Sequence, residues 1–116
     1  MTILYMMTLG THLRTLRTAR ELTLREVADR VKVEPSYLSK VECGKVPASE
    51  NLLRNLAKAL DEDEDVLMLL SGRVPDGLVK AIKKRPHLFA EVLRQIKTLP
   101  DDAILRIVRE VRDGKW

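Results

Sequence analysis

Thr23-Leu24-Arg25-Glu26-Val27-Ala28-Asp29-Arg30-Val31-Lys32-Val33-Glu34-Pro35-Ser36-Tyr37-Leu38-Ser39-Lys40-Val41-Glu42-Cys43-Gly44 holds two short helical patterns with almost nothing between them. Thr23 and Glu26 have the spacing of a capping box, in which the Thr hydroxyl accepts from the amide three residues on and the Glu carboxylate accepts from the Thr amide. A helix therefore starts at Leu24, with Leu24, Val27, Ala28 and Val31 as its buried stripe. It must end by Glu34, because Pro35 disfavours helical geometry in the residue before it. Pro35 suits the first position of the next helix, where a missing amide costs nothing, and Gly44 closes that helix after Glu42. The link is Lys32-Val33-Glu34. A link this short cannot turn two helices antiparallel, so they cross steeply, and the small Ala28 lies where the backbones approach.

Working outward, Leu9, Leu13 and Leu16 give Leu9 to Glu21 the period of an amphipathic first helix. After the loop Lys45-Val46-Pro47-Ala48, Ser49 caps a fourth helix whose apolar face is Leu52, Leu53, Leu56, Ala57 and Leu60. The run Asp61-Glu62-Asp63-Glu64-Asp65 precedes a fifth helix around Asp63 to Leu70, where carboxylates favour the positive end of the dipole. Gly72 and Pro75 punctuate, and three shorter helical patterns follow: Asp76 to Arg85, Leu88 to Lys97 and Pro100 to Arg112. The last two leave the stripes Phe89, Val92, Leu93, Ile96 and Ile104, Ile107, Val108, Val111 in need of cover. The uncharged residues 1–8 read as a tail.

Composition narrows the function. The chain has 116 residues, enough for one modest core and a small appended unit, and aromatics are only 3%, which favours helices over a β-sandwich. The single cysteine, Cys43, makes neither an internal disulfide nor a cysteine-cluster metal site. No apolar run approaches the roughly 18 residues of a membrane helix, and no leader pattern opens the chain, so the expected compartment is the cytoplasm. His12 and His87 fall on surface-like positions without metal-ligand or triad spacing, so no catalytic residue, metal or cofactor is expected. The net charge of +4 is unevenly spread: Gly10 to Leu60 and Ser71 to Trp116 are basic, and the acidic pentad lies between them. Such flanks are compatible with a nucleic-acid partner.

The ordered combination resembles the phage-repressor, or Cro and XRE-like, helix-turn-helix family. The residues concerned are Leu9-Gly10-x-x-Leu13-Arg14-x-Leu16-Arg17, then Leu22-Thr23-Leu24-Arg25-Glu26-Val27-Ala28, then Val33 through Lys45, then Leu52-Leu53-x-x-Leu56-Ala57-Lys58-Ala59-Leu60. The resemblance covers Leu9 to about Leu70. It implies an all-α, five-helix repressor-like DNA-binding domain over residues 9–72, with residues 73–116 as a small helical extension for dimerisation or partner binding. It further implies a homodimeric transcriptional repressor bound to a palindromic double-stranded operator, cytoplasmic and nucleoid-associated. The helix Pro35 to Cys43 would enter the major groove with its N-terminal residues toward base edges.

Ser36 and Lys40 share a face at i and i+4 and suit base contacts, with Glu34, Pro35 and Tyr37 beside them. Arg25, Lys45, Ser49 and Asn51 are the expected phosphate contacts. Arg17 and Glu42 occupy the family's pairing positions and are expected to form a structural salt bridge that orients the recognition helix, leaving an Arg17 amine near phosphate. Three residues depart from the pattern: Lys32 stands where the turn usually has Gly, Leu24 where a Gln often bonds phosphate, and Glu34 where Ser or Thr commonly caps. Lys32 is accordingly expected in a left-handed conformation. The tract from Val66 through Leu78 resembles regulators of this family encoded beside a zinc metallopeptidase. The alternative reading is thus an antitoxin-like or peptidase-controlled repressor, whose C-terminal region binds a toxin or metallopeptidase.

Overall fold

The computed structural model describes residues 8–116, so the expected tail lies almost wholly outside the described residues. These residues form eight helices and no strand: α1 (Leu9–Ala19), α2 (Leu24–Val31), α3 (Pro35–Glu42), α4 (Glu50–Ala59), α5 (Glu64–Leu70), α6 (Asp76–Lys84), α7 (Pro86–Ile96) and α8 (Asp101–Asp113). None is long and apolar enough to cross a membrane. The chain divides into two compact units, the first ending at Pro75 and the second running from Asp76 to Trp116.

In the first unit α2 packs on α3 and α4, α1 on α3, and α4 on α5. Every one of these helices contributes to a single core. Leu13 comes from α1, Val27, Ala28 and Val31 from α2, Leu38 and Val41 from α3, Leu52, Leu53, Leu56 and Ala57 from α4, and Leu67 and Met68 from α5, with Ala48 and Leu60 from the connections. Ala28 of α2 and Leu38 of α3 are both fully buried, and α2 packs directly on α3, where the small Ala28 side chain is expected.

All five helices end in the same way. The residues Glu21, Lys32, Gly44, Asp61 and Gly72 each have positive φ, at 55°, 59°, 74°, 52° and 83°. Each is followed by an amide that reaches back in the Schellman pattern: Leu22 to the Arg17 carbonyl at 3.1 Å, Val33 to Ala28 at 3.0 Å, Lys45 to Lys40 at 2.8 Å, Glu62 to Ala57 at 2.9 Å and Arg73 to Met68 at 2.9 Å. Two of the five are glycines. The other three hold a left-handed conformation against the roughly 1 kcal/mol that a Cβ adds there. Glu21 therefore lies beyond the first helix, which stops two residues short of the expected Glu21 end, at Ala19.

The ends of α6, α7 and α8 differ by one residue from expectation, and two further differences have a specific cause. Thr8, grouped with the tail by sequence, caps α1: its hydroxyl accepts from the Thr11 amide and the Thr11 hydroxyl accepts from the Thr8 amide, both at 3.1 Å. This capping box has Thr rather than Glu or Gln at its third position, so the sequence pattern does not display it. Helix α7 starts at Pro86 rather than Leu88, with Pro at the first position, as in α3. In the second unit α6 packs on α7. None of the residues of α6, α7 or α8 is buried.

Candidate functional site

The site is built around α3. Its N-terminus is set by the turn Lys32-Val33-Glu34, in which Lys32 sits at φ 59° and ψ 46° and half-buried Val33 packs against the core. Glu34 is the N-cap residue but its carboxylate makes no capping bond, so both oxygens remain free. Pro35 follows at the first helical position, half-buried. Leu38 and Val41 pin one side of α3 in the core, which leaves Ser36 and Lys40 exposed on the other, one turn apart. Tyr37 lies between: its ring packs partly against the core and its hydroxyl donates to the Pro47 carbonyl at 3.4 Å, tying α3 to the loop before α4. Lys45 and the thiol of Cys43 are exposed at the far end of α3.

On α2, Thr23 accepts from the Glu26 amide at 3.1 Å while Glu26 accepts from the Thr23 amide at 2.9 Å. That amide, with the Thr23 hydroxyl, holds the Glu26 carboxyl below the ordinary carboxylate range. Arg25 is exposed in the first turn. On α4 the Ser49 oxygen accepts from the Leu52 amide at 3.1 Å, leaving its hydroxyl proton to donate outward, and Asn51 is exposed beside it. The amides of Glu50 and Asn51 have no acceptor within the helix, as in any first turn, and are available to an anion.

Helix α3 is held at its C-terminal end by α1, through three residues on one stripe of that helix. Gly10 lies so close to α3 that an added Cβ would overlap the Glu42 carbonyl oxygen and stand 2.8 Å from the carbonyl carbon. Leu13, one turn on, is 1% exposed. Arg17, two turns from Gly10, donates through Nε and Nη2 to the two Glu42 oxygens at 2.9 and 3.1 Å, and through Nη1 to the Leu22 carbonyl at 3.0 Å. The side chains of this pair are 13% and 8% exposed. Fork geometry and burial distinguish it from a surface pair, so loss of one partner is expected to cost about 3 kcal/mol. Nε, Nη1 and Nη2 of Arg17 are thus each engaged within the protein, with Glu42 and the Leu22 carbonyl.

The histidines separate. His87 is exposed, but His12 is half-buried rather than at the surface, and its Nε2 lies 2.6 Å from a Glu62 oxygen. Its Nδ1 is buried without a hydrogen-bond partner. Glu62 also accepts from the Asp63 amide at 2.8 Å. The hydrogen bond to His12 and then this amide hold the Glu62 carboxyl below its ordinary range. Arg20 reaches the Asp61 carbonyl at 3.5 Å, so α1 is also tied to the α4–α5 corner. Asp63 caps α5 by accepting from the Asp65 amide at 2.8 Å. The acidic run is thus divided between a cap, a left-handed turn and a hydrogen bond to His12. The close approach of Gly10 to Glu42 and the bond of His12 to Glu62 are not legible in the sequence, because the partners are 32 and 50 residues away.

Residues 8–70 match the family model described as a helix-turn-helix domain. Among solved structures, the clp gene regulator ClgR from Corynebacterium glutamicum is similar with a TM-score of 0.50 and 30% sequence identity, covering 75% of this chain and 87% of its own. A chain of the SinR protein/SinI protein complex shares the fold, with a TM-score of 0.53 at 17% identity, covering 93% of this chain and 100% of its own. No curated protein sequence matches.

Proposed function

The chain belongs to the helix-turn-helix family of DNA-binding transcriptional regulators, and from that premise we propose that it is a homodimeric repressor of its own or neighbouring genes, placing α3 in the major groove of a palindromic operator. The observation that carries this reading is the outward face of α3, where Ser36 and Lys40 stand open to solvent while Leu38 and Val41 lock the opposite face into the core. Ser36 and Lys40 contact base edges, Lys40 suiting guanine O6 and N7. Glu34, with both oxygens free, accepts from cytosine N4, and Pro35 and the Tyr37 ring line the same end of the helix. Arg25, Lys45, Ser49 and Asn51 hold phosphates, a positioning role without sequence readout. The Arg17–Glu42 pair sets the angle of α3. No catalytic step belongs to this reading, and its compartment is the cytoplasm.

Dimerisation is assigned to residues 73–116, because Val92, Leu93, Ile107, Val108 and Val111 are all exposed there and stripes of that kind need cover. A two-fold dimer holds its recognition helices about 34 Å apart and reads half-sites one turn apart. Selection of bound duplexes from a random pool, followed by footprinting, tests this. The expected product is an inverted repeat. Ser36→Ala or Lys40→Ala relaxes preference at particular positions by about 1 to 3 kcal/mol, whereas Lys45→Ala weakens all sequences alike. A pool without sequence preference, or a single unpaired half-site, breaks the reading.

A second reading places a different protein, a toxin or metallopeptidase, on the same uncovered surface. It is favoured by the similarity to a chain found in a complex of two proteins. Sedimentation separates the two: a monomer on its own supports the second.

A further inference from the structure

Helix α6 and the corner after it hold Lys80, Lys83, Lys84 and Arg85, four cations within six residues, all exposed. No Asp or Glu occurs from Gly77 to Ala90. None of the four makes an ion pair among the described residues; Arg94 pairs with Glu91 at 2.8 Å and Arg112 with Asp113 at 2.9 Å, while Lys97, Arg106, Arg109 and Lys115 are also unpaired but do not stand together in one short acid-free run. The C-terminal dipole of α6 favours Lys83 and Lys84 by a few tenths of a kcal/mol each. It does nothing for Lys80, a turn earlier, which stands at i,i+3 and i,i+4 from both and repels them. Asp76, the one acid of α6, stands one turn before Lys80 without forming an ion pair with it, so α6 and Arg85 together keep a net charge of +3, four cations less one anion. These cations line an open groove of about 750 Å³ together with Gly77, Ala81 and Phe89. Helix α6 follows α5 after the five residues Ser71–Pro75, which span at most about 18 Å when extended. A chain whose first unit is bound to DNA thus holds α6 at high effective concentration near the same duplex.

We propose that Lys80, Lys83, Lys84 and Arg85 form a second, sequence-independent contact with DNA, gripping backbone phosphates beside the operator half-site. The inference rests on the DNA-binding reading above and adds a site outside the helix-turn-helix domain. Phosphate contacts position a protein without reading sequence, so this grip raises affinity for operator and random DNA alike.

The test compares the full chain with its Lys80→Gln/Lys83→Gln/Lys84→Gln/Arg85→Gln variant, Gln being close to Lys and Arg in helix propensity. Affinity for a selected operator duplex with long flanks is measured from low to moderate salt. The slope of log K against log salt should fall by about 0.9 for each phosphate that the variant leaves unneutralised, so by about 2 to 4 per chain, with base preference unchanged. Lys83→Gln/Lys84→Gln should give about half that change and guards against misfolding of the fourfold variant. Trimming the duplex to the bare operator should bring wild type and variant together. A control neutralising Lys97, Arg106, Arg109 and Lys115, which removes the same charge from places interspersed with acids, should keep the wild-type slope. An unchanged slope in the fourfold variant overturns the proposal, and so does an equal loss in the control. An unchanged slope together with binding of an acidic peptide at the groove reassigns the patch to a protein partner. Failure of wild type to bind any duplex would instead remove the DNA-binding reading itself.

Discussion

Helices α1 to α5 and their connections place fourteen apolar side chains out of contact with water, whereas α6 to α8, with stripes just as regular, bury none. In the first unit each stripe finds another. Leu13, Leu38 and Val41 share one core with the apolar faces of α2 and α4, and caps, Schellman turns and the Arg17–Glu42 fork satisfy the polar groups around them. In the second unit Leu88, Val92 and Leu93 are more than half exposed. Amphipathicity is a property of one helix, but burial needs two faces. Residues 76–116 therefore carry the pattern of a core without the partner that would make it one.

Truncation after Gly72 is the most severe way to test that contrast. The remaining chain keeps the whole buried core, so it should unfold cooperatively and remain helical by circular dichroism. It should sediment as a monomer and bind a full operator about a hundredfold more weakly, since the second half-site no longer binds as one unit with the first. A truncated chain that stays dimeric would move the interface into the first unit.

A pair of single substitutions sharpens the contrast next. Leu53→Ala removes a fully buried side chain from α4 and should cost about 2 to 5 kcal/mol in denaturant unfolding, independent of protein concentration. Leu93→Ala, at 51% exposure, should cost almost nothing within one chain but shift the melting temperature in a concentration-dependent way. If Leu93→Ala is silent at every concentration, α7 is not the interface.

The clamp on α3 comes third. Arg17→Ala and Glu42→Ala should each destabilise by about 3 kcal/mol, and their double-mutant cycle should show coupling of about 2 kcal/mol. Gly10→Ala should fall in the same range, because the Glu42 carbonyl it meets is backbone and cannot rotate aside. All three should also lower operator affinity by displacing α3. Additive behaviour of Arg17 and Glu42 would remove the fork from the mechanism.

Smaller effects follow at the turn and in acid. Lys32→Gly should stabilise the first unit by about 0.5 to 1 kcal/mol by relieving a left-handed Cβ, with sequence preference unchanged. The carboxyls of Glu26 and Glu62 are held below their ordinary range in the fold, so they add stability above the pKa of the unfolded chain. That stability is lost as pH falls through the lower, folded values, and unfolding should steepen below about pH 4. Glu62→Gln should flatten the acid limb, and an unaltered limb would show that the His12–Glu62 pair is not part of it.

What the sequence determined by itself is local. The capping box Thr23-Leu24-Arg25-Glu26, the Pro35 start and the Gly44 stop each act within a few residues, and they set the two short helices and the three-residue link between them. Chain-local chemistry also covers the outward face: once Leu38 and Val41 are inside, the helical period leaves Ser36 and Lys40 outside. The same logic, applied to Pro86, would have placed the start of α7 correctly. Only the tertiary structure decided that Gly10 must be glycine, that His12 leaves the surface for Glu62, and that Tyr37 is half packed and bonded to Pro47. Each depends on a backbone or side chain brought close by the packing of α1, α3 and α4, and no period in the chain encodes such a distance. The exposure of α7 and α8 belongs to that second class, because whether an apolar stripe is buried depends on what lies opposite it.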